Sequence, residues 1–219
     1  MEAHKRRISE RSADLVYSPV ARALHWLTVV FVAILIPVGL YMVYRGSVTN
    51  FDATTNTLYS AHKLAGFVLL WLVVARLLYR FINGAPPDEP TIEWWQKAAA
   101  HLTHWGLYGL LLAMPLLGWL GVTLYGALGI PGGFSLPPIP GQEALYGVLK
   151  SVAGAVGFAP PSLTPEKQKA AEFVFLLHFW GAMLMLAAIG AHVAGAIYHH
   201  FIRGDGVLRR MLTGLTKRG

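Results

Sequence analysis

An apolar run near the C-terminal end of the chain places the strongest limit on the fold. It extends from about residue 172 to residue 202, long enough to cross a bilayer as a helix. Two histidines, His178 and His192, lie inside it, fourteen residues apart. At about 100° per residue this is close to four full turns, so both rings share nearly one face, roughly 21 Å apart along the axis. One histidine is therefore predicted near each edge of the membrane.

Each of these two histidines is followed three residues later by a glycine, Gly181 or Gly195. Ionisable residues inside a membrane span are rare and usually functional. A glycine beside an imidazole on the same face leaves space for a flat, wide group. The alternative is that each histidine hydrogen-bonds a neighbouring helix and contributes only to packing. Two such pairs on one face favour the functional interpretation.

Three further apolar runs precede this one, and 55% of the chain is hydrophobic while 13% is charged. That composition is typical of membrane proteins. We predict an all-α integral membrane four-helix bundle, up-down-up-down, with spans at about 20–44, 58–80, 101–125 and 172–202. The predicted parts are an N-terminal tail 1–18, a four-helix domain 19–203, an outer loop 126–171 within it, and a C-terminal tail 204–219. The first span is too long for a cleaved signal peptide and is expected to stay as an anchor.

The net charge of +7 follows the predicted topology. Thirteen of the 18 lysines and arginines fall on one predicted side, in the two tails, in the connection between the second and third spans, or at the span ends that adjoin them. The positive-inside rule therefore predicts that both termini are cytoplasmic. The same distribution argues against nucleic-acid binding as the purpose of the charge.

The outer loop 126–171 is rich in glycine and proline and is too small for a core of its own. Its residues 141–155 place an apolar stripe on one helical face, made of Ala144, Leu145, Val148, Leu149 and Val152. This pattern predicts a short interfacial helix lying on the membrane surface. It is either a plain connector or a lid over an outer-side site, and we favour the connector.

Chain direction brings two further histidines to the same depths. The first and third spans run outward and the second and fourth run inward, so His25 and His192 are predicted near the inner edge. His62 and His178 are predicted near the outer edge. Two histidines from different helices at one depth are what a haem iron with two axial imidazoles requires. The chain has no cysteine, which excludes disulfides, iron–sulfur clusters on cysteine and covalent c-type haem.

Zinc is the competing metal. His101 and His104 form an H-x-x-H pair, and His199 and His200 are predicted on the same inner side. No acidic residue lies inside the core of any predicted span, which disfavours a metal-transport pathway. Haem is therefore the favoured interpretation.

Four segments of the chain resemble the bacterial cytochrome b561 family: YSPVARALHW, HKLAGFVLLWLVVARLLYRF, MPLLGWL and HVAGAIYHHFIRGDGVLRRM. Together they reach from about Tyr17 to Met211. The resemblance implies a four-helix protein of the bacterial inner membrane with two non-covalent haem b groups. It implies that His25 and His192 ligate the inner haem and that His62 and His178 ligate the outer one. Members of the family exchange electrons with quinone, and superoxide oxidation has been assigned within it.

Further residues are candidates for contact with the haems or the quinone. Arg76 lies fourteen residues after His62, so Arg76 and Arg80 share its helical face near the inner edge. We expect them to balance haem propionates, the alternative being that they reach lipid phosphates. His104 competes with His25 as a ligand because both stand in a His-Trp pair that precedes a proline at similar spacing. Otherwise His104, with His101, His199 and His200, is expected to bond propionates or quinone, or to lie hydrated at the surface.

The first functional hypothesis is a membrane electron carrier between the quinone pool and an outer-side donor, either superoxide or a redox protein. Arg45 and Lys63 on the outer side would attract an anionic donor. Whether the chain is an enzyme with its own substrate, such as a superoxide:quinone oxidoreductase, stays open at this point. The second hypothesis is a haem-bearing subunit that relays electrons for a partner dehydrogenase or hydrogenase. A third is a haem-free structural or metal-handling membrane protein.

Overall fold

The computed structural model describes residues 16–88, 92–155 and 166–213. These residues are helical and contain no β-sheet, only an isolated bridge between Gly129 and Ser135. In chain order the helices are α1 (Pro19–Thr49), α2 (Ala53–Asn83), α3 (Trp94–Tyr125), α4 (Gln142–Ala155), α5 (Glu166–Ile197) and α6 (Val207–Leu212). A 3₁₀ turn covers Pro131–Gly133, and a π-helical segment continues α5 over Tyr198–Arg203. The prediction of an all-α protein is confirmed.

Four helical stretches of the described chain are long and apolar enough to cross a membrane. They are α1, α2, α3, and α5 together with the π-helical segment, the last counted from Gln168 to Arg203. Each predicted span lies inside one of them, and the helices continue beyond the apolar stretch into polar flanks. Ser18 caps α1, since its Oγ accepts a hydrogen bond from the Ala21 backbone N–H at 3.2 Å and Pro19 occupies the first turn.

The chain divides into two compact units. The terminal unit comprises Met1–Val29, Leu72–Gly109 and Met185–Gly219, and the central unit comprises Val30–Trp71 and Leu110–Leu184. Each unit takes one stretch from each of the four long helices. The predicted tails 1–18 and 204–219 belong to the terminal unit, and their residues 1–15 and 214–219 lie outside the described part of the chain.

In the central unit, the outer loop folds back over the end of α3. Trp119 Nε1 donates to the Pro137 carbonyl at 2.7 Å, and the Ile139 backbone N–H donates to Thr123 Oγ1 at 3.2 Å. A small core forms there from Leu120, Leu124, Ile139, Ala171 and Val174. The predicted short helix is present as α4, and the stripe residues Leu145, Val148 and Val152 are exposed on it. The side chain of Leu149 lies outside the described residues.

In the terminal unit, the C-terminal tail is bound to the beginning of α1 and to the segment after α2. Trp26 Nε1 donates to the Met211 carbonyl at 3.2 Å, and Arg210 Nη2 donates to the Pro87 carbonyl at 2.7 Å. The Arg210 residue is only 6% exposed. This part of the basic tail is therefore a folded element of the unit.

Candidate functional site

The central unit brings His62 on α2 and His178 on α5 face to face. Their ring centroids are 6.3 Å apart and the ring planes are inclined at 75°. Two imidazoles that bind one metal ion from opposite sides at about 2 Å place their centroids roughly 6 Å apart. The spacing therefore fits a bis-histidine iron site. It also excludes a direct hydrogen bond between the two rings.

Both of these rings carry a buried nitrogen without a partner. Nδ1 of His62 and Nδ1 of His178 are shielded from solvent and make no hydrogen bond. The backbone of Met114 interacts with the His178 ring, but it does not reach hydrogen-bond geometry. These Nδ1 atoms lie towards the neighbouring helices, each 3.6 Å from a Cβ built at Gly39 or Gly118. Buried polar groups in folded proteins are normally satisfied, so two buried imidazoles without a hydrogen bond at Nδ1 are unusual, and they leave Nε2 of each ring for a group bound between them.

Glycines on the neighbouring helices make room for the same two rings. A Cβ at Gly39 on α1 would lie 3.0 Å from Cε1 of His62, and a Cβ at Gly118 on α3 would lie 3.3 Å from Cε1 of His178. Each histidine ring is thus packed against a position where any residue larger than glycine would require the ring to move. The arrangement is the same on α1 and α3, where Gly39 and Gly118 each follow a proline, Pro37 and Pro115, within three residues.

The glycines that follow the histidines in sequence behave differently from one another. A Cβ at Gly195 would meet no atom within 4 Å, so the space predicted beside His192 is present. Gly66, four residues after His62, is open in the same way. The prediction for Gly181 is wrong, because a Cβ there would lie 2.5 Å from Sδ of Met114. A methionine side chain fills that position, and its flexible thioether suits an irregular gap.

The terminal unit brings three histidines together. The centroids of His25 on α1 and His192 on α5 are 6.4 Å apart, with the planes inclined at 65°. His104 on α3 lies closer to His192, at 5.1 Å. The longer distance matches the spacing that two axial ligands of one metal need, and the shorter one is too small for it. His104 is also exposed, whereas His25 and His192 are half-buried.

Arg76 on α2 completes this cluster. Its Nη2 lies 2.9 Å from Nδ1 of His25, and its guanidinium carbon lies 5.0 Å from the centroid of the Tyr108 ring. A guanidinium can only donate, so Nδ1 accepts and the ring proton of His25 is on Nε2 in this arrangement. Arg80, one turn further, interacts electrostatically with Arg76 and His104. Both arginines therefore lie close to the histidines of the terminal unit.

Three further histidines lie in the described part of the chain, and two of them contact an aspartate. His199 Nδ1 lies 2.6 Å from Asp205 Oδ2, and both side chains are largely buried, at 14% and 7% exposed. His101 Nε2 lies 3.2 Å from Asp88 Oδ2 in an exposed contact. Nδ1 of His200 is buried and unpartnered.

The zinc alternative finds no support in the described residues. They contain no group of three or more histidine, cysteine, aspartate or glutamate side chains arranged to hold a metal ion. The H-x-x-H pair is divided between an exposed contact of His101 with Asp88 and the position of His104 beside His192.

The family to which the chain belongs follows from comparison with known proteins. A profile of prokaryotic cytochrome b561 matches residues 16–214. The chain belongs to the prokaryotic cytochrome b561 family. It is therefore a membrane electron-transfer protein of a bacterium, and the family implies b-type haem. The two histidine pairs, together with the absence of cysteine from the sequence, fit a non-covalent haem.

Individual relatives of the same family cover most of the chain. It is 30% identical over 196 residues to "Cytochrome b561 homolog 2" of Escherichia coli (strain K12), which is 90% of each sequence. It is 29% identical over 190 residues to "Cytochrome b561 homolog 1" of the same organism, covering 86% of this chain and 92% of the relative. It is 25% identical over 158 residues to "Probable superoxide oxidase CybB" of Yersinia pestis, covering 72% and 75%.

Some residues of the site were not singled out by the sequence reasoning. Asp205 lies within a quoted family motif, but nothing in the spacing links it to His199 until the π-helical segment and Gly204 turn the chain back. Tyr108 follows His104 by four residues, one helical turn, which is a weak signal for contact with Arg76. Gly39 and Gly118 lie two and three residues after a proline, a position that typically indicates a bend in the helix and gives no signal for contact with a histidine.

Proposed function

We propose that this cytochrome b561 carries electrons between an outer-side donor and the quinone pool through two haem b groups in the bacterial inner membrane, with both termini cytoplasmic. The observation that supports it is the pair of ring separations, 6.3 Å for His62 with His178 and 6.4 Å for His25 with His192. His62 and His178 would hold the outer haem, and His25 and His192 the inner one. Bound haem supplies an iron that gains and loses one electron.

The surrounding residues would fix the ligands and balance charge. Gly39 and Gly118 allow the rings of His62 and His178 to pack against α1 and α3 without being pushed towards the haem. Arg76 and Arg80 would pair with the carboxylate groups that haem b carries. Outer ligands held by packing and inner ligands beside a cation give the two sites different surroundings.

His199 and Asp205 would serve the quinone. Quinone takes up protons as well as electrons when it is reduced to quinol, so its site needs a group that delivers protons. A carboxylate on Nδ1 fixes the orientation of the His199 ring and leaves Nε2 for a quinone oxygen. His200, whose buried Nδ1 has no partner, is the neighbouring candidate for a hydrogen bond to the same ligand.

The charge of the outer-side residues Arg45 and Lys63 bears on the identity of the electron donor. The attraction of an anion by Arg45 is reduced, because Arg45 Nη2 forms a salt bridge with Asp52 Oδ2 at 2.6 Å. Lys63 remains as a cation, with its Nζ donating to the Ala127 carbonyl at 2.9 Å. We propose superoxide as the donor for two reasons: Lys63 is a cation that can attract an anion, and the Yersinia pestis relative is named a probable superoxide oxidase.

Haem stoichiometry and a reduced-minus-oxidised spectrum of the purified protein test the proposal. Two low-spin b-type haems per chain are expected, and His192→Ala is expected to lose one while keeping the other. Reduction of the bound haems by superoxide, followed by reduction of an added quinone, would support the proposed direction. A haem-free protein from haem-replete cells, or unchanged haem content in His192→Ala, would overturn the ligand assignment.

A further inference from the structure

Arg76 distinguishes the two histidine pairs from one another. It is a half-buried guanidinium whose Nη2 is 2.9 Å from Nδ1 of His25 and whose plane is held near the Tyr108 ring. The pair of His62 and His178 has no such neighbour, since the Nδ1 atom of each ring is without any hydrogen bond. The candidate ligand His25 thus contacts a cation, whereas neither Nδ1 of His62 nor Nδ1 of His178 does.

The charge of Arg76 is not neutralised by an acidic side chain in the described part of the chain. Two acids of the terminal unit are directed to other residues, Asp88 to His101 and Asp205 to His199. The groups that interact with Arg76 are the neutral rings of His25, His104 and His192, the phenols of Tyr17 and Tyr108, and the second cation Arg80. Because guanidinium does not lose its proton in proteins, the positive charge is permanent.

Two cations of the central unit, Arg45 and Lys63, are directed away from its histidines. Arg45 forms a salt bridge with Asp52, and Lys63 donates to the carbonyl of Ala127. Among the described side chains, a cation therefore lies against a candidate ligand ring in the terminal unit, and no cation lies against the rings of His62 and His178 in the central unit.

We propose that Arg76 raises the reduction potential of the site formed by His25 and His192 above that of the site formed by His62 and His178, so that an electron entering at the latter is drawn to the former. This rests on the proposed function, which supplies a haem at each pair. Arg76 is a positioning and tuning residue here, and it exchanges no electron itself.

Arg76 acts on the iron through its charge. Reduction lowers the charge of the iron by one, and a cation in a region of low dielectric constant stabilises the less positive form. When Nε2 of His25 binds a metal, the ring proton moves to Nδ1 and the hydrogen bond from Arg76 ends. His25 is neutral in either tautomer, so the charge of Arg76 beside it remains.

Potentiometric titration of the purified holoprotein, followed in the haem absorption bands, tests the inference. Wild type is expected to show two components, and Arg76→Gln is expected to lower the upper midpoint alone. The expected change is at least tenfold in the equilibrium constant of reduction, which is 59 mV for one electron. Arg76→Lys should restore much of the difference. Arg209→Gln, the same change at an exposed arginine of the terminal unit, should leave both midpoints in place.

A second variant assigns the two midpoint potentials to the two histidine pairs without using the arginine variants. His192→Ala should retain the haem of lower potential, and this holds even if Arg76→Gln fails to bind haem. Two bound haems whose midpoints do not move in Arg76→Gln, or a His192→Ala protein that keeps the higher component, would overturn the inference alone. A wild type with fewer than two haems would instead overturn the proposed function.

Discussion

Gly39 on α1 lies directly against the ring of His62 on α2, where an added Cβ would be 3.0 Å from Cε1. Contacts this short force the neighbour to move by a few tenths of an ångström. In the proposed site, where His62 and His178 share one metal ion, the ring of His62 has little freedom to do so, because the two centroids must keep the 6.3 Å separation. We therefore expect Gly39 to help set the ligand geometry although it has no side chain.

Enlarging Gly39 is expected to disturb the site of His62 and His178 selectively. Gly39→Ala should weaken haem retention there, and Gly39→Val should remove about half of the total haem by overpacking one of the two proposed sites. Haem per chain and the difference spectrum measure this. Gly109→Ala is the control, since a Cβ at Gly109 meets no atom within 4 Å. Equal haem loss in Gly39→Val and Gly109→Ala would contradict the assignment.

The choice between His25 and His104 as partner of His192 is open to a direct comparison. The centroid distances, 6.4 Å against 5.1 Å, lead us to expect that His25→Ala keeps one haem and His104→Ala keeps two. Removing an axial imidazole leaves an iron without a strong ligand, whereas removing His104 only enlarges the space beside the cluster. Haem content, with the low-spin signal in electron paramagnetic resonance, distinguishes the variants. The reverse pattern would make His104 the ligand.

The two histidine pairs could be predicted from the sequence, because the depth of each histidine in the membrane depends only on helix direction and the 3.6-residue period. His62 with His178 and His25 with His192 could be paired this way, since fourteen-residue intervals and span order settle depth. The same reasoning could not separate His25 from His104, because both lie near the inner edge of outward-running helices. To choose between His25 and His104, one must know the distances between side chains on different helices, and the periodicity of a single helix gives no such distance.

The contacts that the sequence could not predict depend on rotation of one helix about its axis relative to another. Gly181 was expected to face an open space, but the side chain of Met114 occupies it. Asp205 reaches His199 because the π-helical segment and the left-handed Gly204, at φ 64°, reverse the chain within a few residues. Such segments have no reliable signal in a single sequence.

Acid should weaken the turn between α1 and α2 through Asp52. Its carboxylate accepts hydrogen bonds from the Thr55 hydroxyl at 2.6 Å and the Thr55 backbone N–H at 2.8 Å, and it pairs with Arg45. These contacts, the Thr55 hydroxyl first, lower the pKa of Asp52 from 3.8 to about 2. Because the folded-state pKa is depressed, the stabilisation is complete above pH 3.8 and is lost as the pH falls towards 2.

The variant Asp52→Asn isolates that contribution. Its thermal unfolding midpoint in detergent should be lower than that of the wild type at pH 7, and the difference should shrink as the pH falls below 3.8. Thr55→Val removes the strongest of the contacts and should move the acid-dependent loss to higher pH. A difference between wild type and Asp52→Asn that stays constant from pH 7 to pH 3 would contradict this account.

Asp205 is expected to matter for quinone chemistry and not for haem binding. Its carboxylate holds Nδ1 of His199 at 2.6 Å in a largely buried contact, so Asp205→Asn should lower the rate of quinone reduction by about a hundredfold, a typical effect of losing assisted proton transfer. Haem content and chemical reduction by dithionite should stay as in the wild type. His199→Gln should give a similar loss, and the double variant should lose no more than either single change, because the two residues act as one unit.

The matched control for this dyad is the other contact between a histidine and an aspartate in the terminal unit. Asp88→Asn removes the partner of His101 in an exposed contact at 3.2 Å and should leave quinone reduction unaltered. A wild-type rate in Asp205→Asn would show that His199 needs no carboxylate for the reaction. Equal losses in both aspartate variants would mean that the effect comes from the general charge of the inner surface, because only the buried pair can orient a proton donor towards a bound quinone.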